Sequence, residues 1–177
     1  MTLNRDQLEA HWMPFTGNRQ FKDQPRLMAS AKGAYYTDAE GREIFDGLSG
    51  LWTCGLGHGR EEITAAVSAQ VANLDYSPGF QYGHELSFEL ANKVVELTPP
   101  ELDHVFFTDS GSETIDTALK MARGYWRSKG QPGKSKFIGR MKGYHGVNYG
   151  GVGVGGIGFN RKLFGQTVDA DHICDTL

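Results

Sequence analysis

Apolar positions recur along this chain at two spacings. In residues 60–74, Ile63, Val67, Gln70, Val71 and Leu74 fall on one stripe of a 3.6-residue repeat, opened by Arg60, Glu61 and Glu62. That pattern predicts an amphipathic helix with acidic residues at its positive end. The repeat returns over 84–97 through Leu86, Leu90, Val94 and Leu97, and Pro99-Pro100 stops it. A third helix is expected from about Glu113 to Ser128, with Ile115, Ala118, Leu119, Ala122 and Tyr125 as its inner face. Strand patterns are shorter. Ala34-Tyr35-Tyr36-Thr37 and Glu43-Ile44-Phe45-Asp46 flank Asp38-Ala39-Glu40-Gly41, which predicts a β-hairpin on a glycine turn. His104-Val105-Phe106-Phe107-Thr108 has the apolar run of a buried strand, and Lys136-Phe137-Ile138-Gly139 is a second candidate.

Strand, helix and strand in that order predict an α/β unit of parallel type. The stretch from Met141 to Phe159 is glycine-rich and has no clean period. Two strands cannot close an α/β sheet with both faces covered, so the sheet is expected to be incomplete within these residues. Residues 1–33 carry Trp12, Met13, Phe15 and Phe21 without a period, broken by Pro14 and Pro25. They are expected to lie across a surface instead of forming a core. The expected organisation is therefore an N-terminal segment (1–33), a hairpin and pocket segment (34–59), and the start of an α/β domain (60–177).

Composition narrows the function. Glycine is 24 of 177 residues, about twice the usual share of roughly 7%. The glycines gather at 47–59, 111–146 and 150–158 beside Trp52, Leu56, Tyr144 and Phe159, which a flexible linker would lack. They point to tight backbone near a ligand or a sharp turn. A formal charge of −3 argues against a nucleic-acid binder held by excess cation. Cys54 and Cys174 cannot make a disulfide scaffold, and no apolar run reaches membrane length. The start, Met1-Thr2-Leu3-Asn4-Arg5-Asp6, is not a signal peptide. A soluble cytoplasmic protein is expected.

Several short stretches carry candidate chemistry. In Phe106-Phe107-Thr108-Asp109-Ser110-Gly111-Ser112-Glu113 a strand pattern ends, a Ser-Gly-Ser turn follows and a helix begins at once. The first N–H groups of a helix lack internal partners and sit at the positive end of its dipole, so this order suits a phosphate cradle. The alternative is that Ser110 or Ser112 serves only as an N-cap. Gly143-Tyr144-His145-Gly146 follows the second candidate strand, where α/β sheets present ligand loops. Tyr144 there could stack on a flat heterocycle and His145 could hydrogen-bond, or the stretch is a turn with a packed tyrosine. Trp52, in a glycine-flanked segment, is either a pocket wall or an ordinary core residue. Gly153-Val154-Gly155-Gly156-Ile157-Gly158 matches the dinucleotide fingerprint formally, but no clear strand precedes it and it is rejected. Cys54, His58 and the scattered histidines have no metal-ligand spacing, so no metal is expected.

Trp12-Met13-Pro14-Phe15, the hairpin with Asp46, Ser49-Gly50-Leu51-Trp52, Ser77-Pro78-Gly79-Phe80-Gln81-Tyr82-Gly83-His84, Phe107 to Glu113, and Gly143-Tyr144-His145-Gly146 occur in this order. So ordered, the chain resembles the N-terminal part of the class III ω-aminotransferases, pyridoxal-phosphate enzymes of fold type I. Among them it is most similar to those acting on β-alanine or other ω-amino acids with pyruvate. The resemblance implies a small-domain hairpin segment followed by the start of the cofactor-binding large domain. It implies that Gly111 and Ser112, with Ser110, bind the phosphate of pyridoxal 5'-phosphate, that Tyr144 stacks on the pyridine ring, and that His145 lies close behind it. Trp52, with Phe15 and Tyr144, would wall the substrate pocket, and Phe80 and Tyr82 would lie near a homodimer interface. Two departures stand out. Asp109 replaces the asparagine usual before the Ser-Gly-Ser turn, and the family's Schiff-base lysine falls beyond Leu177, so no catalytic residue is expected in this chain. Two other functions stay open: a non-catalytic fragment of the fold, or an aminomutase or decarboxylase on the same scaffold.

Overall fold

A computed structural model of the protein describes residues 3–165 and 167–174, and the chain divides into two compact units, one up to His84 and one from Glu85 onward. In the first unit α1 (Arg5–Glu9) starts from a capping box. Asn4 Oδ1 accepts the Gln7 N–H at 3.0 Å, and Gln7 Oε1 accepts the Asn4 N–H at 2.9 Å. α2 (Asn18–Asp23) follows. Then β1 (Met28–Lys32), β2 (Tyr35–Asp38) and β3 (Glu43–Phe45) form an antiparallel sheet in sequence order, with Tyr36 opposite both Ala31 and Ile44. The hairpin forms where its turn residues place it. Residues 1–33 do more than cross a surface, because their last stretch supplies the edge strand β1. Met-Ala-Ser-Ala-Lys has no large apolar alternation, so only pairing with β2 reveals it. The tight turn α3 (Ser49–Trp52) and the helix α4 (Glu61–Asn73) complete this unit.

The hairpin turn is fixed by Asp38, whose carboxylate accepts the N–H groups of Glu40 at 3.0 Å and Arg42 at 2.8 Å and the Arg42 Nε at 2.6 Å. Burial alone would raise this carboxyl, but the backbone and guanidinium of Arg42 outweigh it and hold it below its ordinary value of 3.8. The stabilisation is therefore complete above that value and is lost as pH falls through the lower folded one. Amide resonances of Glu40 and Arg42 should stay constant from neutrality to about pH 4 and move only below it. Movement centred above pH 5 would show that another group controls the turn.

The second unit holds α5 (Glu85–Val95), α6 (Gly111–Ser128), β4 (Phe137–Arg140), α7 (Tyr149–Val154), α8 (Gly158–Phe164) and β5 (Ala170–Ile173). β4 and β5 pair in parallel, Phe137 opposite Ala170 through Arg140 opposite Ile173, with α7 and α8 in the crossover between them. The buried apolar residues Val152, Val154 and Ala170 lie on α7 and β5.

The parallel pair is not the one that hydrophobicity suggests. Residues 104–108 form no strand, and Phe106 is 67% exposed. An apolar run becomes a strand only where a ladder partner exists, and β4 takes Ala170-Asp171-His172-Ile173 instead, a half-polar stretch without strand alternation. The glycine run after Asn148 serves close packing. Lys142 N–H donates to the Gly156 carbonyl at 3.1 Å, and Gly156 N–H donates to the Gly143 carbonyl at 2.8 Å. A Cβ on Gly156 would strike the Arg140 carbonyl oxygen, so this position admits only glycine.

Candidate functional site

The second unit brings together two of the stretches singled out from the sequence. Ser110 is the N-cap of α6, its hydroxyl accepting the Glu113 N–H at 3.2 Å. The capping role therefore belongs to Ser110, which still keeps its own proton to donate. Glu113 Oε2 accepts the Asp109 N–H at 3.1 Å, folding that side chain back along the approach to the helix. Gly111 and Ser112 occupy the first turn, whose N–H groups lack carbonyl partners inside the helix. A Cβ at Gly111 would meet nothing within 4 Å, so the space there is open.

Ser112 links this helix start to the second stretch. Its Oγ accepts the Val147 N–H at 2.9 Å, which leaves the hydroxyl proton free to donate elsewhere. A Cβ on Gly146 would come within 2.6 Å of Ser112 Cα and Oγ, so the loop can lie this close only with glycine there. One turn further along α6, Asp116 Oδ1 accepts the Gly151 N–H at 3.0 Å, at the start of α7. Asn148 makes no side-chain cap to that helix, and Asp116 supplies the missing acceptor from outside. The loop carrying Tyr144 and His145 is thus suspended from α6 at two points. Tyr144 is 57% exposed, so its ring is open to a ligand, while His145 is half-buried. Val147 and Asp116 carry no motif, and a backbone N–H reaching a side chain 35 residues away leaves no local signature.

The geometry suits the phosphate end of a flat cofactor: two helix-start N–H groups, a hydroxyl with its proton available, and an aromatic on a loop tied to that hydroxyl. Among the described residues no group of three or more His, Cys, Asp or Glu is placed to hold a metal ion. No described helix is long and apolar enough to cross a membrane.

Trp52 and Phe15 lie in the first unit, their side chains 82% and 86% exposed. Neither is a core residue. Trp52 ends four consecutive residues in the left-handed region, with φ of 49° at Ser49, 60° at Gly50, 62° at Leu51 and 70° at Trp52. The turn is closed by Trp52 N–H to the Leu48 carbonyl at 2.8 Å and Thr53 N–H to the Ser49 carbonyl at 3.0 Å. For each residue other than glycine this conformation costs about 1–2 kcal/mol. Backbone held this way persists only where its surroundings enforce it.

Comparison with known proteins agrees with the geometry. The family described as aminotransferase class-III matches residues 16–172. The chain is 62% identical over 170 residues to the β-alanine–pyruvate aminotransferase of Pseudomonas aeruginosa, covering 96% of this chain and 38% of that protein. It is 60% identical to the ω-amino acid–pyruvate aminotransferase of Pseudomonas putida, with 96% of this chain and 38% of that protein covered. The chain thus spans well under half the length of these relatives. A solved amine transaminase from an uncultivated Pseudomonas species, in its PLP-bound form, superimposes with a TM-score of 0.87 at 35% identity, over 94% of this chain and 38% of that one. With a match running almost from end to end, and the Ser-Gly-Ser helix start and Tyr-His loop drawn together in one unit, the chain belongs to the class-III aminotransferases.

Proposed function

We propose that the chain is the N-terminal part of a PLP-dependent enzyme that moves the amino group of an ω-amino acid or amine, such as β-alanine, to pyruvate. The observation that carries this reading is the Ser112 contact with Val147, which ties an anion-binding helix start to an aromatic loop. When bound, the cofactor supplies the electron sink for the amine carbon. The N–H groups of Gly111 and Ser112 would hold its phosphate, and the Ser110 and Ser112 hydroxyls would donate to it. The Tyr144 ring would cover one face of the pyridine, with His145 close behind. Trp52 and Phe15 would limit the bulk of the amine. The nucleophilic lysine is assigned to the part of the relatives that this chain does not span. A homodimer working in the cytoplasm, with Phe80 and Tyr82 near its interface, belongs to the same reading.

The direct test is pyruvate-dependent formation of alanine from β-alanine by the complete enzyme carrying this chain, with and without PLP. PLP-dependent turnover is expected. Turnover without pyruvate, or decarboxylation of the amine donor, would replace the reading.

Tyr144 gives a second check. Tyr144→Phe should keep most of the stacking and most of the turnover, whereas Tyr144→Ala should lose roughly 2- to 13-fold in kcat/KM, because aromatic stacking contributes about 0.5–1.5 kcal/mol beyond area burial. Alanine and phenylalanine variants with equal kinetics would remove stacking from its role.

A further inference from the structure

The left-handed turn at Ser49–Trp52 exposes its two large side chains, so packing of those side chains does not hold it. What holds it lies beneath. The Asp46 carboxylate, 7% exposed, accepts the Gly50 N–H at 2.6 Å in the middle of the turn and the Leu48 N–H at 3.2 Å at its entrance. His58 Nε2 lies 2.7 Å from the same carboxylate, and because an ionised carboxylate only accepts, that nitrogen carries the proton.

His58 is itself anchored to the sheet. Its N–H donates to the Gly33 carbonyl at 2.8 Å, and Gly33 N–H donates to the His58 carbonyl at 2.9 Å. Its ring packs on Tyr36 of β2 with centroids 4.6 Å apart. A continuous path therefore runs from the sheet through His58 and Asp46 to Gly50, and from Gly50 to Trp52 two residues on. The hydrogen bond from His58 is the largest influence on Asp46, and together with the N–H groups of Gly50 and Leu48 it holds the carboxyl below its ordinary range. The Asp46 carboxylate at the centre of this clasp is therefore ionised at neutral pH.

We propose that Asp46, with His58 behind it, is a positioning residue that holds Trp52 in its left-handed backbone conformation and so sets the bulk of the amine that the enzyme accepts. The proposal rests on the reading of Trp52 as a pocket wall. It assigns no contact between Asp46 and substrate; the carboxylate acts through the turn.

The test is a double-mutant cycle in the complete enzyme, with Asp46→Ala and Trp52→Gly singly and together. The readouts are the ratio of kcat/KM for a bulky arylalkyl amine to that for β-alanine, and hydrogen exchange of peptides covering residues 48–54. Asp46→Ala is expected to speed exchange across the turn at least tenfold and to move the ratio toward the bulky amine at least fivefold, with the PLP dissociation constant within twofold of the parent. In the Trp52→Gly background the same substitution should no longer move the ratio, because the ring it positions is gone. An equal change in both backgrounds, or no change in either, would overturn the proposal. If Asp46→Ala does not fold, Asp46→Asn carries the same cycle, since it keeps the shape and one acceptor oxygen. A parent enzyme that makes no alanine from pyruvate would instead refute the reaction assigned above. Exchange across 48–54 would then decide the clasp, and equal rates in parent and variant would overturn it.

Discussion

Replacing Ser112 with alanine is expected to raise the PLP dissociation constant of the complete enzyme by roughly 10- to 150-fold, the equivalent of about 1.5–3 kcal/mol for a hydrogen bond to a charged group. Two losses combine. The donor to the phosphate disappears, and the Val147 N–H loses the acceptor that now lies at 2.9 Å. The second loss frees the loop that carries Tyr144, so the cofactor ring should also become more mobile. Gly146→Ala offers an independent route to the same disturbance, since its Cβ would fall 2.6 Å from Ser112 Cα. Equilibrium dialysis or quenching of cofactor fluorescence measures the effect. Equal dissociation constants for parent and Ser112→Ala would remove Ser112 from the phosphate site.

Trp52→Gly should shift selectivity toward bulky amines by one to two orders of magnitude in kcat/KM, since differences as small as a methylene in an apolar pocket are worth about 10- to 200-fold. The structure adds a second expectation about the same variant. A core tryptophan removed in this way would destabilise by about 3–5 kcal/mol. Trp52 is 82% exposed at a φ of 70°, so its removal leaves no cavity and glycine relieves the left-handed penalty. Thermal unfolding of Trp52→Gly should therefore fall within a few degrees of the parent, while Trp52→Ala, which keeps a Cβ in the left-handed region, should be the less stable of the two. An unchanged substrate range together with a large drop in Tm would place Trp52 in a core of the complete enzyme.

The three long helices were legible because a 3.6-residue repeat is a local property, and α4, α5 and α6 lie where that repeat runs. The hairpin was legible through its turn, where Asp38 and Gly41 announce a reversal. The strands β1 and β5 were not, because Met-Ala-Ser-Ala-Lys and Ala-Asp-His-Ile do not alternate and become strands only beside a partner. The run at 104–108 misled for the opposite reason, being apolar without a ladder to join. In the site, Ser110-Gly111-Ser112 and Gly143-Tyr144-His145-Gly146 stood out as glycine-flanked polar or aromatic clusters. The groups that position them did not, since Val147 reaches Ser112 through its backbone and His58 meets Asp46 twelve residues away.

Suspending residues 147–151 from α6 also has a consequence for the order in which this unit acquires its shape. Closing a 35-residue loop costs about 3 kcal/mol in chain entropy. Two hydrogen bonds of about 1 kcal/mol net each do not offset that closure. The balance must come from burying Val152 and Val154, which sit just past the second tether and contribute roughly 1.5–3 kcal/mol apiece. On a chain growing from its N-terminus, α6 can wind as soon as its 18 residues emerge. Ser112 in its first turn nevertheless goes without the Val147 N–H until Val154 has been made and packed. Whether Ser112 ever gains that partner is thus decided by two aliphatic side chains that donate nothing to a phosphate.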